Sequence, residues 1–339
     1  MKKRKVKVED AVGEILSHDV TQIIQGEFKG PLFKKGHIIK EEDIEKFLSI
    51  GKEYIWILET ERNEYHEDEA AEEFKKLAGS NISSKGPSEG KVVFIAEEDG
   101  LLLVDRKAVG EINRINDIVF TTRVSDRPVK KGEEIAGIRI VPLSIKKKSV
   151  KKALKIGRKK SPLKIIKFRK KRVGLIITGN EVAKGRIKDK FGDIIKRKIK
   201  EYNSEVINTV IVPDNKELIR DNIIELSNKS DFLILTGGMS VDPDDVTTNA
   251  IEESGAKIIS HGTPILPGNM FLIAYLNNIP VFGVPGAAIY YNITALDVFL
   301  PFAFSDTKIT KEIIADKGYG GYCTHCKVCI FPYCAFGTR

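Results

Sequence analysis

DFLILTGGMSVDPDDVTT occupies residues 231–248 of a 339-residue chain, and the other segments fall into place around it. Phe232 to Leu235 is an apolar run of the kind that forms a strand buried on both faces of a parallel sheet. The run breaks at Thr236-Gly237-Gly238, where glycine opens backbone conformations closed to other residues and lets a ligand approach the main chain. Ser240 and Thr247 supply hydroxyls, and Asp242, Asp244 and Asp245 crowd three carboxylates into one loop. Thr247 or Thr248 is expected to N-cap a helix running to about Ser254, with Gly255 just past its end. In an open α/β sheet, a strand, glycine turn and helix of this kind mark where a ligand sits, outside the carboxyl ends of the strands. Backbone N–H groups suit a phosphate, whereas the aspartates suit one only across a cation such as Mg2+. A plain glycine turn before a capped helix is the alternative, but stability gives no reason for three adjacent acids.

Outward from this stretch, strands and helices alternate. Val173–Ile177 reads as a buried strand ending in Thr178-Gly179-Asn180-Glu181, followed by a helix from about Phe191 to Tyr202. Val206–Val212 is the next strand, ending at Pro213-Asp214, and Leu218–Leu226 is an amphipathic helix. After the 231–248 stretch come a strand at Lys257–Ser260 and a hairpin of Met270–Tyr275 against Val281–Val284, turning at Asn277-Asn278. A last helix starts after Pro285-Gly286 and runs to about Phe299. The pattern predicts an α/β fold with a doubly wound, mostly parallel sheet, so loops with chemistry in them share one edge.

Those loops read TGNEVAKGRIKDKFG, IVPDN, LTGGMSVDPDDVT and FGVPGAAIYY, with TPILPGNMF between the last two. Together they resemble the molybdopterin-binding domain shared by molybdopterin adenylyltransferases, molybdopterin molybdenumtransferases and the related competence-damage-inducible proteins. The resemblance covers roughly residues 170–305. It implies a protein of molybdenum cofactor biosynthesis that binds molybdopterin. It also implies a Mg2+-dependent transferase acting on the phosphate or dithiolene, by adenylylation from ATP or by molybdate insertion. Asp214 and Asp245 match essential aspartates of the adenylyltransferases. The cofactor-binding positions implied are Thr178, Gly179, Asn180, Glu181, Thr236, Gly237, Gly238, Ser240, Asp244, Thr247, Pro267, Gly268, Pro285 and Gly286. Lys184, Arg186, Lys188 and Lys190 are candidates to face the anion. GGMS is closer to the molybdenumtransferase form and DDVT to the adenylyltransferase form, and Ala287-Ala288 stand where molybdenumtransferases carry Asn-Pro. The reaction is therefore left open, and a non-catalytic carrier or sensor of the cofactor is the alternative. Other cofactor-assembly proteins and a second copy of the chain are the expected partners.

The N-terminal half reads as an α+β, partly β-barrel-like region. Residues 1–60 form a mixed unit, with a helix over Lys40–Leu48 and a strand over Tyr54–Leu58 that places Trp56 in the core. Residues 61–85 read as a helical connector and 86–144 as a compact β unit, scaffold in character. Residues 145–171 carry almost no chemistry beyond charge and read as a basic linker. From 145 to 172 there are 15 Lys and Arg and no acid, against a net charge of +9 for the whole chain. The rest is then mildly acidic, about −6, which argues against nucleic acid as the partner. Hydrophobic content of 42% and charge of 30% are those of a soluble globular protein. No run has the length of a membrane span, and the basic start lacks the apolar core of a secretory signal, so the expected location is the cytoplasm.

After the α/β domain at 172–305, residues 306–339 form a cysteine-rich tail. All four cysteines are here: Cys323, Cys326, Cys329 and Cys334, spaced C-x2-C-x2-C-x4-C. Four thiolates at such spacing can close on one Zn2+ or one [4Fe–4S] cluster. Reduced thiols that bind metal transiently, or disulfides, are the remaining readings.

Overall fold

The computed structural model describes residues 2–24, 28–59, 63–239 and 246–338. The chain divides into two compact units, one of Met1–Glu97, Val104–Arg123 and Lys131–Lys164, the other of Glu98–Leu103, Val124–Lys130 and Ile165–Arg339. Among the described residues no helix is long and apolar enough to cross a membrane.

The first unit is α+β, as expected, but its main sheet is open rather than closed. Four antiparallel strands run in the order Ile82–Ser88, Lys91–Ala96, Glu134–Ile140 and Ile118–Thr122. A separate pair joins Lys2–Lys7 to Tyr54–Glu59. In that pair Ile55 and Ile57 are buried while Trp56 stands 38% exposed. The expectation that Trp56 lies in the core is wrong because a strand alternates its faces. The basic segment is also not a plain connector: Lys147–Lys160 is a 14-residue helix. Its buried residues, Val150, Ala153, Leu154 and Gly157, fall at i, i+3, i+4 and i+7 and form one apolar stripe. The charges occupy the other face.

The second unit holds the doubly wound sheet. Its strands are β1 (Arg172–Thr178), β2 (Glu205–Val212), β3 (Phe232–Thr236), β4 (Lys257–His261), β5 (Leu272–Leu276) and β6 (Ile279–Val284). Their order across the sheet is β2-β1-β3-β6-β5-β4. β1 pairs in parallel with β2 and β3, and β3 with β6, while β5 runs antiparallel to both neighbours. The chain leaves β1 for β2 on one side and returns to β3 on the other, so the strand order reverses at β1. Every residue of β3 is buried, as its unbroken apolar run requires.

Helices α1 (Phe191–Lys200), α2 (Lys216–Ser227) and α3 (Thr247–Glu253) link the strands, and α4 (Ala295–Phe304) and α5 (Lys311–Asp316) follow the sheet. The core on one face includes Ile195 and Ile199 of α1 with Phe299 and Phe302 of α4. On the other face it includes Ile219, Ile223 and Leu226 of α2 and Ile251 of α3. Asn277 and Asn278 have φ of 48° and 70°, the left-handed pair that a two-residue hairpin between β5 and β6 demands. The helix expected directly after Pro285-Gly286 is in fact two. A short turn at Ala287–Tyr290 precedes α4, which starts where Thr294 and Asp297 form a capping box.

Candidate functional site

Strand register gathers the loops. Thr178 at the end of β1 lies opposite Val212 of β2, Ile177 opposite Thr236 of β3, and Thr236 opposite Val284 of β6. The segments after Thr178, Val212, Thr236 and Val284 therefore emerge on one edge. His261 closes β4 opposite Leu272, which opens β5, so the loop carrying Pro267-Gly268 emerges there too.

Three threonines fasten the middle of this edge. Thr178 donates its hydroxyl to the Thr236 carbonyl at 3.1 Å, and its Oγ1 lies 3.1 Å from Thr247 Oγ1. Thr247 is not the N-cap expected from sequence: it is the first residue of α3, fully buried, with no capping bond at Val246 before it. Its hydroxyl is turned to the strand end instead. The glycines answer to the same crowding. A Cβ on Gly237 would stand 2.4 Å from the Thr178 carbonyl oxygen, and one on Gly238 2.5 Å from Thr247 Oγ1. Both have positive φ, 89° and 57°. Thr236 Oγ1 is buried and has no hydrogen-bond partner among the described residues.

The flanking loops are tied to one another. The backbone N–H of Asn180 donates to the Asp214 carboxylate at 2.9 Å, and Asp214 N–H reaches Asn180 Oδ1 at 3.4 Å. Glu181 lies in the first turn of the short helical segment Asn180–Ala183 and is exposed. Lys184, Arg186, Lys188 and Lys190 are all exposed as well. Asp189, between the last two, accepts the backbone N–H groups of Phe191 and Gly192 at 2.8 Å each and so starts α1.

On the far side, the Ala295 N–H donates to the Pro267 carbonyl at 3.1 Å, and a Cβ on Gly268 would stand 3.0 Å from that nitrogen. Pro285 accepts the N–H of Ala288 at 3.1 Å, and Gly286 begins the turn that follows. One residue of this edge was not expected from sequence: His261, whose Nε2 lies 3.3 Å from the Met239 carbonyl. Its position at the end of a strand was the available signal. Ser240, Asp242, Asp244 and Asp245 lie outside the described residues. The edge thus brings together Thr178, Thr236, Gly237, Gly238 and Thr247, pairs Asn180 with Asp214, and sets Pro267-Gly268 and Pro285-Gly286 on the same rim.

The tail belongs to the same compact unit. The Leu266 N–H donates to the Gly321 carbonyl at 2.8 Å and the Cys323 N–H to the Leu266 carbonyl at 2.9 Å, a parallel bridge to the loop before Pro267. A Cβ on Gly321 would stand 2.1 Å from the Pro264 carbonyl oxygen, so that contact needs glycine. Among the described residues, no three His, Cys, Asp or Glu side chains gather closely enough to hold a single metal ion.

A doubly wound sheet with loops converging at its carboxyl edge is a ligand-binding α/β domain. Residues 174–303 match the family model described as "Probable molybdopterin binding domain", so the resemblance of the loops is borne out over this domain. Residues 5–59 match a second model, described as a domain of unknown function. No curated protein matches the chain. Solved structures of similar fold include the tungsten cofactor synthesizing protein MoaB from Pyrococcus furiosus, 22% identical, covering 42% of this chain and 98% of that one at a TM-score of 0.34. The molybdopterin biosynthesis enzyme MoaB from Thermus thermophilus is 18% identical over 39% of this chain and 91% of that one, TM-score 0.32. The molybdopterin biosynthesis MoeA protein from Pyrococcus horikosii is 16% identical over 91% of this chain and 76% of that one, TM-score 0.33.

Proposed function

We propose that the α/β domain binds molybdopterin across the strand-end loops and that the protein is a transferase of molybdenum cofactor biosynthesis, acting on the phosphate or dithiolene of that ligand. The observation that carries this is the convergence of five loops on one edge of the domain that matches the molybdopterin-binding model. Gly237 and Gly238, closed on one side by Thr178 and Thr247, can offer only main chain to a ligand on the other. Asp214 is half-exposed and orients its carboxylate through Asn180, which fits a hard oxygen ligand for Mg2+. Mg2+ is commonly held by one or two carboxylates plus substrate phosphates, so a single described carboxylate suffices on the protein side; Asp245 enters this reading from sequence alone. When bound, the ion would offset charge on the phosphate. Lys184, Arg186, Lys188 and Lys190 would attract the anion at longer range.

Calorimetry with molybdopterin, with and without Mg2+, tests the site. Asp214→Asn keeps an acceptor for the Asn180 N–H while removing the charge, and is expected to weaken Mg2+-dependent binding about tenfold or more without unfolding the domain. Unchanged binding with unchanged magnesium dependence rejects the ion bridge. Pyrophosphate release from ATP and molybdopterin identifies adenylylation. AMP release from adenylated molybdopterin and molybdate identifies insertion. Tight binding with neither product favours a carrier.

A further inference from the structure

All four cysteines line one cavity of about 290 Å3 in the tail, and no two of them are joined by a disulfide. Cys323 and Cys334 are half-buried, and Cys326 and Cys329 are exposed at its mouth. Tyr291, Ile293, Phe331 and Phe336 supply apolar wall. Behind it lies Arg127, 4% exposed. Its Nη2 donates to the carbonyls of Cys334, at 3.2 Å, and Phe336, and its guanidinium carbon lies 5.1 Å from the Phe331 ring centre. Its Nε and Nη1 are buried with no hydrogen-bond partner among the described residues. The neighbouring acid, Asp126, is already engaged by the fully buried Lys317 at 2.8 Å. A buried cation beside two polypeptide carbonyls, with N–H groups left over, is costly unless negative charge faces it.

We propose that this cavity is the site of a [4Fe–4S] cluster, ligated by Cys323, Cys326, Cys329 and Cys334, with Arg127 as its buried counter-cation. Binding releases the four thiol protons, and the resulting tetrathiolate centre is a dianion in its oxidised form, which supplies the missing charge. The size of the void separates cluster from ion. Zinc draws four sulfurs to about 2.3 Å from one point and fills no larger space. Here all four cysteines line a void of about 290 Å3, far more than one ion occupies. A cluster of several atoms has room in that volume. The backbone bridge of Leu266 to Gly321 and Cys323 ties this centre to the loop that carries Pro267-Gly268.

The full chain, purified anaerobically or reconstituted with equal amounts of ferrous and ferric iron and with sulfide, tests this. About four iron and four sulfide per chain are expected, with a broad brown absorption band and, after dithionite, the paramagnetic signal of a reduced cluster. Cys326→Ser with Cys329→Ser, both at exposed positions, should abolish all of these while circular dichroism stays unchanged. Arg127→Lys should retain the cluster, and Arg127→Gln should lose it faster under chelator or shift its reduction potential downward. One zinc per chain without sulfide, four freely titratable thiols after both preparations, or iron retained in the double serine variant would each overturn the proposal. A cluster equally stable and of unchanged potential in a folded Arg127→Gln protein would overturn the role of Arg127.

Discussion

Thr178, Thr236 and Thr247 fix β1, β3 and α3 to one another through two side-chain hydrogen bonds in a fully buried place. Thr178→Val keeps the shape and removes both bonds, so it is expected to cost about 1–3 kcal/mol in denaturant unfolding. Gly237→Ala meets the Thr178 carbonyl oxygen and a positive φ at once. It should cost at least about 1 kcal/mol and weaken pterin binding, whereas alanine at Gly185, where nothing lies within 4 Å, should leave binding unchanged despite its positive φ. The glycines and threonines were legible as a turn with hydroxyls. What the hydroxyls do was not, because Thr178 and Thr247 are 69 residues apart and capping is a local rule.

Helix α4 begins at a cluster that reaches beyond the helix. Asp297 accepts the Thr294 N–H at 2.7 Å and also pairs with the buried Lys198 of α1. Asp297→Ala removes the cap and leaves the buried Lys198 ammonium with the Asn292 carbonyl but no counter-charge, for an expected loss of about 3–5 kcal/mol in chemical denaturation. Thr294-Ala295-Leu296-Asp297 is a capping signal that could have placed the start of α4, yet the proline-glycine before it is the stronger local cue. The helix Lys147–Lys160 was hidden differently: its charge run outweighs four small or aliphatic residues at helical spacing. The helix Glu67–Phe74 in the first unit carries a pH dependence. Burial, and next the charge of Asp68, push the Glu67 carboxyl up to about 7. The folded unit then holds this proton more tightly than the unfolded chain, so stability falls as pH rises from the ordinary glutamate range through 7. Glu67→Gln should raise the melting temperature at pH 8, by an amount equivalent to roughly 3 kcal/mol, and change little at pH 4.

The second unit is assembled from three separate segments of chain. Leu101 and Leu102 pair with Pro128 and Arg127, the Phe168 N–H donates to Asp99, and Asp126 holds Lys317. Sequence placed residues 98–103 and 124–130 within one β unit, since nothing in their local pattern points to partners so distant. Most of the α/β block was legible, because its strands and α1 to α3 are signalled locally, whereas the break before α4 was not. It follows that residues 172–339 expressed alone lack both Asp126 and Arg127 and leave Lys317 buried without its carboxylate. Hydrogen exchange over residues 317–338 should be markedly faster in that fragment than in the full chain; equal protection would show the pair to be dispensable. The same wiring sets a timetable for biosynthesis. Asp126 is added to the growing polypeptide 191 residues before Lys317. At about 5–20 residues per second the ribosome takes roughly 10–40 s to cover that distance. Throughout that interval the nascent Ser125-Asp126-Arg127 segment waits for its partners, a window in which a chaperone would find its target.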